Sequence, residues 1–183
     1  MKKHLSITIA SILALFVSFC ATAQNFTIPA NPLWTDTGIS VTSGEMVSIT
    51  ATGSWIWGYG LTCGPDGDPT ITYPPTLADE FYSSAYKGEL IAFVGTDPFQ
   101  GHWGDAAFFP QSSGYWAIGS NNQFTSPSAG DLWLGINDDA VTEVVSDNSG
   151  SLEASVQVVP EPASLSLLAF GMFGITLLRR HQR

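Results

Sequence analysis

Six side chains with oxygen donors lie close together in one late stretch of the sequence. They are Asn137, Asp138, Asp139, Glu143, Asp147 and Asn148. Four of the six are carboxylates, and we expect no Lys or Arg to neutralise them. Because calcium binds roughly six to eight oxygens from carboxylates, amides and backbone carbonyls, this pattern indicates a calcium site. A solvated acidic turn is the alternative that charge alone leaves open.

Strand-like segments flank this acidic loop and also precede it. Leu132–Ile136 is a short apolar run, and residues 151–158 alternate polar and apolar side chains, which is typical of a half-buried strand. Earlier segments with strand character are 39–42, 46–53, 88–95, 114–119 and 122–125. Because Gly- and Pro-rich turns separate these segments and no long amphipathic helix is evident, we predict an all-β fold, a single jelly-roll-like β-sandwich.

The N-terminus has the pattern of a secretory signal peptide. Lys2 and Lys3 precede an apolar run over 5–19, and Ala21-Thr22-Ala23 provides an A-x-A cleavage site. These features predict a signal peptide over residues 1–23 and a mature chain that begins near Gln24.

The C-terminus also resembles a processing signal. Its motif consists of Pro160, Glu161 and Pro162. An apolar run over 163–178 and a basic tail over 179–183 follow the motif. This order resembles the PEP-CTERM sorting signal of Gram-negative bacteria over 159–183. The resemblance implies a short transmembrane helix that anchors the protein transiently in the inner membrane, removal of the tail by an exosortase, and delivery to the cell surface or extracellular matrix.

The central domain over 24–158 is strongly acidic. Lys87 is its single Lys or Arg against fifteen acids, which gives a net charge of −14 with His neutral. Nucleic acid is excluded as a partner because phosphate binding requires a basic patch, whereas divalent cations and neutral ligands are favoured. After cleavage of the signal peptide only Cys63 remains, so no intramolecular disulfide can form, and we interpret Cys63 as a buried structural thiol.

Several segments of this domain together resemble the PA-I galactophilic lectin (PA-IL) family of calcium-dependent β-sandwiches. They are the strand ending at Gly53, the Gly-Pro-Asp-Gly-Asp loop over 64–68, the strand over 88–95 and the stretch over 137–151. The similarity covers most of residues 38–158. It implies a calcium ion that bridges the protein to a sugar.

The resemblance also implies a set of calcium ligands. Side-chain oxygens would come from Asp138, Asp147 and Asn148, and backbone carbonyls from Trp57 and Thr142. The loop between Thr142 and Asp147 is two residues longer than in the family, so Asp139 is an alternative to Thr142.

The sugar contacts of the family transfer less completely. Its His and Gln fall on Ile71 and Pro74, which supply no polar contact, so we expect a glycan with adjacent hydroxyls rather than galactose in particular. The candidate ligand-binding residues are Asp66, Asp68, Asp139, Trp55 and Tyr59. Trp55, Tyr59 and Trp103 could stack on a sugar ring, and packing within the core or the loops is the alternative for each.

Catalysis is not expected, because no nucleophile–His–acid order, zinc motif or phosphate-binding Gly loop is present. Two hypotheses follow. The first is an exported calcium-dependent carbohydrate-binding protein that recognises a surface glycan or exopolysaccharide. The second is a structural surface or matrix protein in which calcium only stabilises the fold.

Overall fold

The structure is a computed structural model that describes residues 22–58, 60–71, 82, 84–98, 114–138 and 146–159. Within these ranges the chain forms ten β-strands and no helix, which confirms the predicted all-β class. The strands are β1 (Gln24–Pro29), β2 (Trp34–Val41), β3 (Met46–Trp57), β4 (Leu61–Cys63), β5 (Asp66–Asp68), β6 (Lys87–Gly95), β7 (Tyr115–Ala117), β8 (Asn121–Thr125), β9 (Gly130–Ile136) and β10 (Ser149–Val159).

The strands form two antiparallel sheets, as expected for a β-sandwich. The first sheet has the order β1-β10-β3-β4, with β8 also paired to β3. The second has the order β2-β9-β6-β5, with β7 also paired to β6. The longest ladder joins β3 to β10, from Met46 opposite Val159 to Ile56 opposite Ser149.

Alternating side chains from both sheets fill the core. In the first sheet Val47, Ile49 and Leu152 are fully buried, which is the face that the alternation in the sequence predicts. In the second sheet Leu90 lies opposite Ile136, and both are fully buried.

Three strands lie in segments whose sequences have no clear strand pattern. The entry segment forms β1, an edge strand that pairs only with β10 and ends at Pro29, a position where proline is tolerated. The Gly-rich region after Gly53 forms the end of β3, which continues to Trp57, and then β4 and β5 of three residues each.

The ends of four strands meet at one end of the sandwich, which we call the polar end. Its residues are 55–58, 86–89, 136–138 and 147–149. The two sheets are joined here, because the indole Nε1 of Trp55 in β3 donates to the carbonyl oxygen of Gly88 in β6 at 2.8 Å.

Gly88 has a backbone conformation and surroundings that admit only glycine. Its φ is +73°, and a Cβ at this position would lie 2.7 Å from both Cys63 Sγ and Trp57 Cδ1. The absence of a side chain therefore lets β3, β4 and β6 approach closely, and it places the neighbouring Lys87 at the polar end.

The Gly88→Ala variant should be clearly less stable than the wild type. A positive φ costs a non-glycine residue roughly 1–2 kcal/mol, and forcing a methyl group into a packed site adds about 1–3 kcal/mol. Gly38→Ala is the matched control, because Gly38 has a φ of +66° with nothing within 4 Å of the added Cβ. Urea denaturation of both variants measures the difference; equal losses would show that Gly88 carries no packing constraint.

Candidate functional site

Asp138 lies at the centre of the polar end, directly after β9. It is 4% exposed, and both of its carboxylate oxygens have partners. Oδ1 lies 2.9 Å from Lys87 Nζ. Oδ2 accepts a hydrogen bond of 2.8 Å from Asn148 Nδ2. The buried carboxylate is thus both neutralised and hydrogen-bonded, as burial of a charge requires.

Lys87, the first residue of β6, provides the positive charge in this cluster. It is 8% exposed, and it pairs with Asp68 in the β5–β6 ladder. Its Nζ lies 5.9 Å from the centroid of the Trp57 ring, within the range of a cation–π interaction. Sequence reasoning assigned no role to this residue, although it is the single Lys or Arg of the central domain.

Asn148 and Asp147 bring the start of β10 to the same place. Asn148 Oδ1 accepts a hydrogen bond of 3.2 Å from the Gly58 amide, and the side chain is buried. Asp147 is exposed, and its Oδ2 lies 3.6 Å from where a Cβ on Gly58 would be. The structure therefore groups Trp57, Asp138, Asp147 and Asn148, four of the five residues predicted as calcium ligands.

The remaining predicted ligand, Thr142, and its alternative Asp139 lie outside the described residues. In the part of the chain that is described, no three His, Cys, Asp or Glu side chains are grouped so as to hold a metal ion. Both oxygens of Asp138 are engaged by nitrogen donors. The described residues in this arrangement therefore do not fit calcium, and the calcium site stays a prediction. The premise that no Lys or Arg neutralises the acidic stretch is wrong for Asp138, because β6 brings Lys87 to it.

Asn137, which the sequence grouped with the possible metal ligands, has a structural role instead. Its side chain is fully buried and binds the segment that leads into β6. Oδ1 accepts from the Tyr82 amide at 3.0 Å, and Nδ2 lies 3.0–3.2 Å from the carbonyl oxygens of Tyr82, Ala85 and Tyr86. Because the Asn137 amide is hydrogen-bonded to these backbone groups, it positions the segment that leads into Lys87 and is not available to bind a metal ion.

Of the other predicted ligand-binding residues, Asp66 and Asp68 form hydrogen bonds within the protein. Asp66 accepts a hydrogen bond of 2.6 Å from the Ser120 amide. Asp68 Oδ1 accepts from the hydroxyl and the amide of Thr70, and these bonds lower the pKa of Asp68. Asp66 therefore binds the turn between β7 and β8, and Asp68 stabilises the turn that follows β5. Tyr59, Pro74 and Trp103 lie outside the described residues.

The expectation that Trp55 is available to stack on a sugar is wrong. Its side chain is 1% exposed because it packs in the core between the sheets. Ile71, at the position of the family's His, is half-buried and packs against the core.

Cys63 is buried, as its interpretation as a structural thiol requires. Burial raises its pKa to about 11, with a smaller opposing effect from a hydrogen bond with Trp55. The group is therefore protonated at neutral pH, and its Sγ lies 3.4 Å from the Gly88 carbonyl oxygen.

Tyr86 is an aromatic residue of the polar end that sequence reasoning missed. At 48% exposed it is, with Leu61, one of two large hydrophobic residues that the described part of the chain presents to solvent. Its carbonyl lies 3.2 Å from Asn137 Nδ2, and it directly precedes Lys87. The backbone of Tyr86 is thus held, and its side chain is exposed at the position directly before Lys87 of the buried ion pair.

Comparisons with known proteins agree with the reading of the C-terminus. Residues 158–181 match the family model of the PEP-CTERM protein-sorting motif, so the predicted sorting signal is confirmed. Such a motif indicates an exported, surface-targeted protein. Pro160, Glu161, Pro162 and the predicted helix over 163–178 lie outside the described residues. Within the described ranges no helix is long and apolar enough to cross a bilayer.

Among solved structures, the chain is similar to the N-terminal domain of EclA, described as a PllA-like lectin. The sequence identity is 17% and the TM-score 0.48, and the match covers 74% of this chain and 95% of that chain. A search of curated protein sequences gives no match.

Glu89 is a second buried carboxyl group next to this site. It is 9% exposed, it lies opposite Asp66 in the β5–β6 ladder, and its Oε2 accepts from the Tyr86 amide at 2.7 Å. Burial, with a smaller contribution from the Asp66 charge, raises the pKa of Glu89 to about 7 against an ordinary value of 4.5, while the Tyr86 hydrogen bond opposes the shift.

This raised pKa predicts a specific pH dependence of stability. Between pH 4.5 and about 7 the folded protein holds a proton that the unfolded chain has released, so the free energy of unfolding should fall as pH rises through this range. Glu89→Gln keeps an acceptor for Tyr86 but cannot ionise. It should therefore match the wild type near pH 4.5 and exceed it at pH 8 by up to about 3 kcal/mol.

Urea denaturation from pH 4.5 to 8 measures this difference. Glu153→Gln, at an exposed carboxylate on β10, is the control and should follow the wild type. A constant difference between Glu89→Gln and the wild type across the range would contradict a raised pKa.

Proposed function

We propose that this protein is an exported carbohydrate-binding protein that recognises a surface or extracellular glycan, such as an exopolysaccharide, at its polar end. The observation that carries the proposal is the exposed side chain of Tyr86, the residue that directly precedes Lys87 of the fixed polar cluster. A flat aromatic face provides apolar contact for the C–H face of a sugar ring, and neighbouring polar groups at the rim orient its hydroxyls.

Three further features support this proposal. The PEP-CTERM motif over 158–181 indicates export, which brings the domain to extracellular glycans. The net charge of −14 over residues 24–158 disfavours anionic partners and is compatible with neutral sugars. The hydrogen bonds of Asn137 and Asn148 hold the polar end rigid, which lowers the entropic cost of binding a ligand.

The alternative function is that of a structural surface or matrix protein. It is favoured by the internal pairing of Asp138, Lys87 and Asn148, whose polar groups are directed at one another. On this hypothesis the polar end closes the sandwich, and the exposed Tyr86 has no ligand.

A glycan array with the mature domain separates the two functions. We expect binding to a restricted set of neutral glycans. Tyr86→Ala should weaken this binding about tenfold or more, because burial of an aromatic side chain contributes roughly 1.5–3 kcal/mol. Tyr86→Phe is the matched control and should retain binding, since stacking uses the ring face.

The array is run both with calcium and with a chelator, because the calcium bridge predicted from the sequence is a separate proposal. Calcium-dependent hits would support that bridge. An array without hits under both conditions would contradict carbohydrate binding and leave the structural function.

The sorting motif generates a prediction about processing. In a host with an exosortase, secreted protein should begin near Gln24 and lack the basic tail over 179–183. Intact-mass measurement of the secreted protein tests both ends. A Glu161→Ala variant, which removes the charge of the motif, should keep its tail; a full-length tail on secreted wild-type protein would contradict the prediction.

A further inference from the structure

We propose that the Lys87 ammonium is a built-in cation that takes the place of a metal ion at the polar end, so that the folded domain does not require calcium there. This inference concerns the stability of the domain and does not depend on glycan binding. It arises from the disagreement between the ligands predicted from sequence and the contacts that these residues make.

The position of Lys87 is the first step. Its Nζ lies 2.9 Å from Asp138 Oδ1, so it directly occupies one coordination position of the carboxylate that should bind the ion most strongly. The other carboxylate oxygen accepts from Asn148 Nδ2 at 2.8 Å. An ammonium group has three donors and a unit charge, which allows it to serve oxygen groups that would otherwise coordinate a cation.

The local charge is the second step. Of the described carboxylates among the predicted ligands, Asp138 is buried and Asp147 is exposed. Lys87 neutralises the buried one, which removes part of the electrostatic driving force for taking up a doubly charged ion. Calcium depends on several charged or polar oxygens to offset its dehydration, and a neutral buried pair does not provide them.

The burial of Lys87 is the third step. With 8% exposure, the side chain runs through the packed end of the sandwich, and its Nζ lies 5.9 Å from the Trp57 ring centroid. Calcium could reach Asp138 only if the ammonium left this position. Because the ammonium is covalently attached to β6, calcium must compete with a cation that stays close to Asp138.

Removal of the ammonium should convert the cluster into a calcium-responsive one. We compare the wild type, Lys87→Met, Asp138→Asn, and the double variant Lys87→Met with Asp138→Asn. Melting temperatures are measured by differential scanning calorimetry in calcium and in magnesium at equal ionic strength, and calcium binding is measured by titration calorimetry.

The wild type should show no calcium-specific shift of its melting temperature. Lys87→Met should melt lower, and calcium should restore it more than magnesium does, with a Kd on the order of 10⁻⁴–10⁻³ M, as in extracellular calcium modules. The double variant should lose this response, because the carboxylate that attracts the ion is absent. If Lys87→Met folds only when calcium is present, the inference is equally supported.

Two results would overturn the inference. One is saturable calcium binding by the wild type that Asp138→Asn abolishes, since calcium and Lys87 would then occupy the cluster together or calcium would displace the ammonium. The other is a Lys87→Met variant that calcium neither stabilises nor rescues, since the position would then not suit a metal ion. Moderate salt in all experiments screens the diffuse attraction of calcium to the acidic surface.

Discussion

The buried ion pair between Lys87 and Asp138 is the interaction on which the polar end depends. Loss of one partner from such a pair leaves an uncompensated charge and typically costs about 3–5 kcal/mol. The pair persists only because the second carboxylate oxygen is also bonded, by Asn148, whose own oxygen accepts from the Gly58 amide. One chain of contacts thus connects the ends of β3 and β9 with the starts of β6 and β10.

Two uncharged residues, Gly88 and Asn137, position the backbone so that this ion pair can form. Gly88 removes the side chain that would separate β6 from Trp57, and Asn137 binds the backbone that leads into β6. Gly88 and Asn137 act on the residues that flank Lys87. The position of Lys87 therefore does not depend on its own charge alone. The backbone of Tyr86 is held by the same contacts, so the point from which its exposed side chain extends is fixed.

The longer strands could be predicted from the sequence, whereas the edge strand β1 and the short strands β4 and β5 could not. Residues 46–53 and 151–158 alternate because each strand has one buried face, and the structure pairs them as β3 and β10. A strand of three residues, such as β4 or β5, is too short to show a period of two. For the candidate site, residue types and spacing placed Asp138 and Asn148 in one cluster, and the structure joins these two side chains by a hydrogen bond. Their partner Lys87 lies far upstream in the chain and reaches them only through the pairing of β6 with β9, a long-range relation that spacing does not contain.

The covalently attached Lys87 ammonium differs from a bound calcium ion in how it responds to the calcium concentration outside the cell. Calcium occupancy follows the free calcium concentration, and an exported protein meets concentrations that the cell does not control. The Lys87 ammonium has a high effective concentration at Asp138 that dilution and chelators do not change, because chain connectivity fixes it. In a domain that carries a net charge of −14 and has Cys63 as its single cysteine, neither a disulfide nor a general excess of positive charge can stabilise the acidic strand ends. The single lysine of the domain lies in the interior against a buried carboxylate, so it compensates a negative charge that solvent cannot screen.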